Sequence, residues 1–349
     1  MTTDISHSEP PNECDGYPYS FIKEKPENEI NFYLPTTTNR NEKDKHHLAC
    51  SLITSSSSSS SSPKRFFSKR KKNKLDLTQE QQQKIKKIHV KLCEIDTTKS
   101  VIILCHGFAS WRNQMLISNL AASLSLSKDM NCHTLRFDFT GNGHSSGQWK
   151  FGNYENEYMD LCYIYNFVTC TLKCDVQCII GHSQGSCAIM RHAATIAMTS
   201  KEEEVGAENK EEGKLDLPLY VNLSGRCVKC DDFNPQTHWL TKNKCAELST
   251  TGKFSMGKRG EREMIITTQD IERKNKFNML EYLPNIKAKV LTIHGDKDSA
   301  VPPSNAKSFD GFISDHRYKF VSGADHNYNG LLFIDNIVSI ISLFINGNI

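Results

Sequence analysis

Apolar positions along the chain fall into two alternating rhythms from about residue 86 onward. Ile88, Val90 and Leu92 alternate with polar residues, which predicts a half-buried strand, and Val101 to Cys105 is continuously apolar, which predicts a strand covered on both faces. Further strands are expected at His133 to Phe137, Val176 to Ile180, Leu219 to Leu223, Val290 to His294 and Tyr318 to Val321. Between them, helical spacing predicts helices over Asn113 to Ser127, Tyr154 to Phe167, Gln184 to Met198, Asn305 to Ile313 and Leu331 to Ile345. Strands alternating with helices imply an α/β fold whose mostly parallel sheet carries helices on both faces.

Two stretches break that rhythm. Lys201 to Lys214 is dense in charge and is expected to be a solvated surface insertion. Arg226 to Leu283 shows no clear alternation yet lies between two strands, which suggests a short lid over the edge of the sheet where open α/β folds bind ligands.

The first part of the chain has a different composition. Residues 1 to 45 are rich in Pro, Asn, Thr and Glu, and a tract of serines from Ser55 to Ser62 runs into Pro63 and then the basic stretch Lys64 to Lys74. Segments of this kind bury too little apolar area to offset chain entropy, so residues 1–74 are expected to form a disordered leader and residues 86–349 the folded domain. The 349 residues that suggest two domains by length therefore reduce to one domain and a tail.

With 38% hydrophobic and 24% charged residues, neither a membrane protein nor a wholly disordered chain is indicated. The longest apolar candidate, Leu331 to Ile345, is interrupted by Asp335 and Asn336, so no transmembrane segment is expected. The first residues lack the basic and apolar regions of a secretory signal, and 13 cysteines without regular spacing fit a reducing compartment. These features predict a cytoplasmic protein, with nuclear import as the alternative to a plain solvated linker for the 64–74 run. The net charge of +3 arises outside the folded part: residues 75–349 hold 31 basic and 31 acidic residues, which gives that part no general affinity for nucleic acid.

The strongest chemical signal is Gly181-His182-Ser183-Gln184-Gly185, a G-x-S-x-G sequence with a predicted strand before it and a helix after it. A serine on so tight a turn takes a strained backbone, and glycines two positions to either side leave room for it, so its hydroxyl projects from the sheet edge. Serine is a weak nucleophile unless a histidine removes its proton and a carboxylate orients that histidine. His326, just past the last predicted strand, is the expected base. Asp298, in the loop after the preceding strand, is the expected carboxylate, with Asp296 and Asp325 as competitors.

The negative oxygen of an acyl-transfer intermediate needs backbone N–H donors. Gln184, following the serine, is one candidate; Phe108, in Cys105-His106-Gly107-Phe108, is the other. The Gly-rich stretch Phe137 to Gly147 does not fit a dinucleotide loop, because Ser146 stands where the third glycine belongs and no helix follows at once. Cys227-x-x-Cys230 with His238 and Cys245 offers one close ligand pair, where a structural zinc site has two. Neither a metal nor a cofactor is expected. His144, Cys187 and His192 are read as turn, packing and surface residues.

Taken in order, His106-Gly107-Phe108, Gly141-x-Gly143-x-Ser145-x-Gly147, Ser183, Asp298 and His326 make the chain resemble the α/β-hydrolase superfamily. The stretches RFDFTGNGHSSG, IIGHSQG, VNLSGR, LTIHGDKDSAVP and GADHNY are similar to its esterase, lipase and thioesterase group, which includes cinnamoyl (feruloyl) esterases and serine-aminopeptidase-like hydrolases. The resemblance implies an eight-strand sheet with a short lid, a Ser183-His326-Asp298 triad and a small-molecule acyl substrate. Ser186 departs from the pattern, standing where a second glycine is common. An ester substrate is the first expectation; a thioester or peptide bond, and a non-catalytic receptor on the same fold, are the alternatives. Phe233 and Trp239 are candidate walls for an apolar acyl group.

Overall fold

A computed structural model describes residues 28–36, 46–55, 90–127, 129–204, 217–227, 242–259 and 262–349. The apolar runs form the middle of an eight-stranded sheet. Its strands are β1 (Glu29–Thr36), β2 (His46–Ile53), β3 (Val101–Cys105), β4 (His133–Phe137), β5 (Val176–His182), β6 (Leu219–Leu223), β9 (Val290–Gly295) and β10 (His316–Val321), in the order β1-β2-β4-β3-β5-β6-β9-β10. β1 and β2 run antiparallel to each other, β2 is antiparallel to β4, and every other neighbouring pair is parallel.

Two apolar layers sandwich the sheet, and β3 shows how its sequence serves both. Val101, Ile103 and Cys105 face the layer built with α2 (Tyr154–Asn166) and α3 (Gly185–Glu204), including Leu161, Ile164 and Ile189. Ile102 and Leu104 face the layer built with α1 (Met115–Leu126) and α7 (Leu331–Ile345), including Leu120, Ile337 and Ile341. Successive strand side chains point to opposite faces, so a strand buried on both sides must be apolar throughout.

Part of the stretch read as a disordered leader belongs to the sheet. β1 and β2 come from the stretch read as leader, and Phe32, Leu34, Leu48, Cys50 and Leu52 are buried in the same layer as Val101 and Leu161. Arg136 of β4 donates to Glu29 Oε1 of β1 at 2.9 Å, an ion pair with both side chains buried. Ser55, just past β2, is held as well: its N–H reaches His133 Nδ1 at 3.1 Å and its hydroxyl accepts from Lys99 Nζ at 2.9 Å. Residues 1–27, 37–45 and 56–89, with nearly all of the serine tract and the basic run, lie outside the described residues. The strand expected across Val90 and Leu92 is also corrected. Residues 90–93 are helical, with Leu92 turned into the core and Val90 exposed, a spacing compatible with either period over so few residues.

The remaining elements depart from the sequence pattern at three places. α2 gives way at Phe167 to a π-helical turn, Phe167–Leu172, and the helix expected at Asn305 to Ile313 is a single turn, α6 (Asn305–Ser308), followed by a 3₁₀ turn, Phe309–Gly311. Between β6 and β9 lie α4 (Lys242–Thr251), the antiparallel hairpin β7 (Lys253–Arg259) and β8 (Arg262–Thr267), and α5 (Thr268–Lys276). A capping box in which Thr267 and Asp270 serve each other starts α5. This insertion carries its own small core of Leu248, Phe254 and Ile266, closed against Phe151, Phe108 and Trp149 of the main domain. Among the described residues, no helix is long and apolar enough to cross a membrane.

Candidate active site

The parallel strands all end at one edge, and the loops leaving them carry the candidate residues. Ser183 follows β5 with φ of 51°, in the left-handed region that side chains disfavour. The strain is held by neighbours: Ser183 N–H donates to Leu223 O at 2.8 Å, and Ser186 N–H donates to Ser183 O at 3.1 Å. Both flanking glycines are required. A Cβ on Gly181 would lie 2.7 Å from Gly185 O, and one on Gly185 would lie 2.6 Å from His106 O, contacts no side chain could make. Ser186 is tolerated because it is small and satisfied: its hydroxyl lies 3.0 Å from Gly181 O and 2.7 Å from Asn222 Oδ1.

Three side chains from three loops meet in one line. Ser183 Oγ lies 2.9 Å from His326 Nε2, and His326 Nδ1 lies 2.7 Å from Asp298 Oδ2. With Nδ1–H donated to the carboxylate, Nε2 is left as an acceptor for the serine proton. Asp298 Oδ1 accepts from the Ala300 and Val301 amides at 2.9 and 2.8 Å, while His294 Nε2 approaches Oδ2 at 3.1 Å. Burial alone would raise the Asp298 pKa, but the hydrogen bonds from His294, His326 and Val301 outweigh it and hold the group well below the ordinary carboxylate range.

The two competing carboxylates are engaged elsewhere. Asp296 accepts from Gly323 N–H at 2.7 Å and from the Ser322 hydroxyl at 3.2 Å, while Asp325 accepts from the Asn327 and Asn329 amides at 3.1 and 3.0 Å. Asp296 thus ties its own loop to the turn after β10, Asp325 closes a local turn, and Asp298 is the carboxylate that meets His326.

Several supports were not apparent in the sequence. His182, beside the serine, donates Nε2–H to His326 O at 2.9 Å, and burial lowers its pKa to about 4, so it stays neutral. Tyr328 is fully buried; its hydroxyl donates to Ile293 O at 2.8 Å and accepts from Ser224 Oγ at 2.9 Å, which fastens the histidine loop to β9 and β6. His106 donates Nδ1–H to Gly107 O at 2.8 Å and accepts from Phe139 N–H at 3.1 Å, which ties the Phe108 loop to the loop after β4. There, the Arg112 backbone N–H and guanidinium both donate to Asp138, whose carboxylate also accepts the His144 N–H at 2.9 Å. His144 is thus part of a buried loop anchor. His192, expected at the surface, is instead buried, with Nδ1 2.8 Å from Tyr220 Oη.

Phe108 packs edge-on against Trp149 and Phe151, with ring centroids 5.8 Å apart in each pair. Phe233, Trp239, Cys230 and His238 lie outside the described residues. Among the described residues, no group of three or more His, Cys, Asp or Glu side chains is placed to hold a metal ion.

The stretch that carries the elbow serine and the Asp298 loop has a family match: the model of the serine hydrolase (FSH1) family aligns to residues 118–324, more than half of the chain, and ends two residues before His326. The chain belongs to the FSH1 serine hydrolase family. No curated protein matches the sequence. Similar solved structures agree with an α/β-hydrolase fold at low identity. Est1E from Butyrivibrio proteoclasticus, solved with ferulic acid bound, superposes with a TM-score of 0.55 at 15% identity, over 88% of this chain and 97% of its own. Alpha/beta hydrolase domain-containing protein 10 from mouse gives 0.55 at 15%, over 91% and 99%. The esterase domain of a Rhodothermus marinus protein gives 0.51 at 16%, over 90% and 97%. This FSH1-family member is therefore a serine hydrolase built on an α/β-hydrolase sheet, to which residues 29–36 and 46–53 contribute two strands.

Proposed function

We propose that this serine hydrolase cleaves a carboxylic ester of a small molecule through an acyl-enzyme on Ser183. The observation that carries the reading is the unbroken line from Ser183 Oγ to His326 Nε2 and from His326 Nδ1 to Asp298 Oδ2. In the first half-reaction His326 takes the hydroxyl proton as Ser183 attacks the ester carbonyl. The negative oxygen forms beside the elbow, where the backbone N–H groups of Gln184 and Phe108 are the donors assigned to it. Asp298 stays ionised and holds the imidazole in the tautomer that accepts at Nε2. His326 then passes its proton to the leaving alcohol. Water, deprotonated by the same nitrogen, attacks the acyl-Ser183 ester and releases the acid.

The test is chemical labelling. A fluorophosphonate probe should label the wild-type protein and leave Ser183→Ala unlabelled; equal labelling of the two removes the assignment. Turnover of p-nitrophenyl butyrate in preference to an acyl-CoA and an aminoacyl-nitroanilide is the expected order, and the reverse order would move the reading to a thioesterase or a peptidase.

A further inference from the structure

One buried acid beside the elbow has no part in the chemistry so far. Glu157 lies in the first turn of α2, and its Oε1 accepts the side-chain N–H of Gln184, the residue that follows the nucleophile. Its other oxygen, Oε2, is buried without a hydrogen-bond partner. Three residues on, and so on the same face of α2, Asp160 accepts the Thr140 N–H at 2.7 Å and the Thr140 hydroxyl at 2.9 Å. One helix thus reaches with two carboxyl groups to two loops at the site, the elbow and the loop after β4. As a packing device this is costly, because a buried carboxyl with an unpartnered oxygen is less favourable than an apolar side chain of similar size.

We propose that Glu157 is a positioning residue for hydrolysis, holding the Gln184 side chain and through it the backbone N–H that receives the intermediate's negative oxygen. This rests on the ester-hydrolase reading above. Glu157 does so as a neutral acid. Burial is the main cause and the like charge of Asp160 adds to it; both outweigh the hydrogen bond from Gln184 and raise its pKa to about 8. The groups facing it are Asp160 on its own helix, Cys105 at the end of β3 and the uncharged Gln184 at the start of α3, while Arg191 of α3 is engaged at the surface by Glu155. An ionised Glu157 would set a negative charge against the side chain of the residue that follows the nucleophile and oppose the charge developing on the substrate oxygen.

The experiment compares the full-length wild type with Glu157→Gln and Glu157→Ala, using p-nitrophenyl butyrate from pH 6 to 9.5 with fluorophosphonate labelling of each. Glutamine keeps the shape and the acceptor of a neutral acid. It should retain kcat within about threefold at pH 7 and remove the fall in kcat that the wild type shows above about pH 8. Alanine releases Gln184 and should lower kcat by tenfold or more with KM within about twofold, a smaller loss than the roughly 10²-fold or greater cost of deleting an oxyanion donor outright. Wild-type turnover by Glu157→Ala, a loss in Glu157→Gln equal to that in Glu157→Ala, or an alkaline limb shared by wild type and Glu157→Gln overturns the proposal. A wild-type protein that neither labels nor turns over overturns the hydrolase reading itself, and the role of Glu157 with it.

Discussion

At the scale of single residues, the distribution of carboxylates decides which of them serves the histidine. Asp296, Asp298 and Asp325 all sit in loops at the same sheet edge, and the chain pattern alone leaves three candidates. The structure separates them by what each accepts: Asp296 and Asp325 are spent on turn amides, while Asp298 meets the imidazole at 2.7 Å. Asp298→Asn should therefore lower kcat by about 10³–10⁴-fold by favouring the wrong tautomer of His326. Asp296→Asn should leave kcat within about tenfold, and steady-state kinetics on one ester checks both. Ser183 was legible because a strained turn needs its flanking glycines, a constraint written in neighbouring letters. Glu157 was not, because an acid in the first turn of a helix has the ordinary signature of a solvated N-terminal face, and only tertiary packing shows it buried.

At the scale of elements, the long periodic helices and the doubly buried strands were readable, since their periods persist over many positions. β1 and β2 were not. Ile30, Phe32 and Leu34 alternate as a strand should, but they lie among Asn, Glu, Pro and Thr, and composition outweighed periodicity in a segment this short. Their place in the sheet makes a specific demand on stability. Glu29→Ala would leave the Arg136 guanidinium buried without its carboxylate, and loss of one member of a buried pair costs about 3–5 kcal/mol. A lower urea midpoint with an unchanged m-value is the expected result. Removal of residues 1–55 should go further and yield insoluble protein, because it bares the edge of β4 and the apolar surface beneath Phe32 and Leu52.

For the molecule as a whole, buried titratable groups confine stability to a pH window. Burial lowers the pKa of His106, His133, His182, His192 and His316, so each takes up its proton at a lower pH in the fold than in the unfolded chain, where histidine does so below about 6.5. The unfolded chain then binds more protons, and stability falls as pH drops through that value. Glu157 and Asp160 act in the opposite sense: burial raises them to about 8 and about 7, so the native state keeps protons that the unfolded chain has lost, and stability falls as pH rises toward 8. Tm should peak near pH 6.5, and the Tm advantage of Glu157→Gln over wild type should grow from pH 5 to pH 8; a constant difference across that range would show that Glu157 does not titrate in the fold. The anchoring of both Ser55 and β2 has a separate consequence for the stretch that follows. A polypeptide cut between residues 56 and 89 leaves an N-terminal fragment still paired with β4, so a nicked molecule should migrate as two bands in denaturing gels yet elute as one active particle from a sizing column. The same property would let the two pieces, expressed from separate genes, reassemble into a working hydrolase.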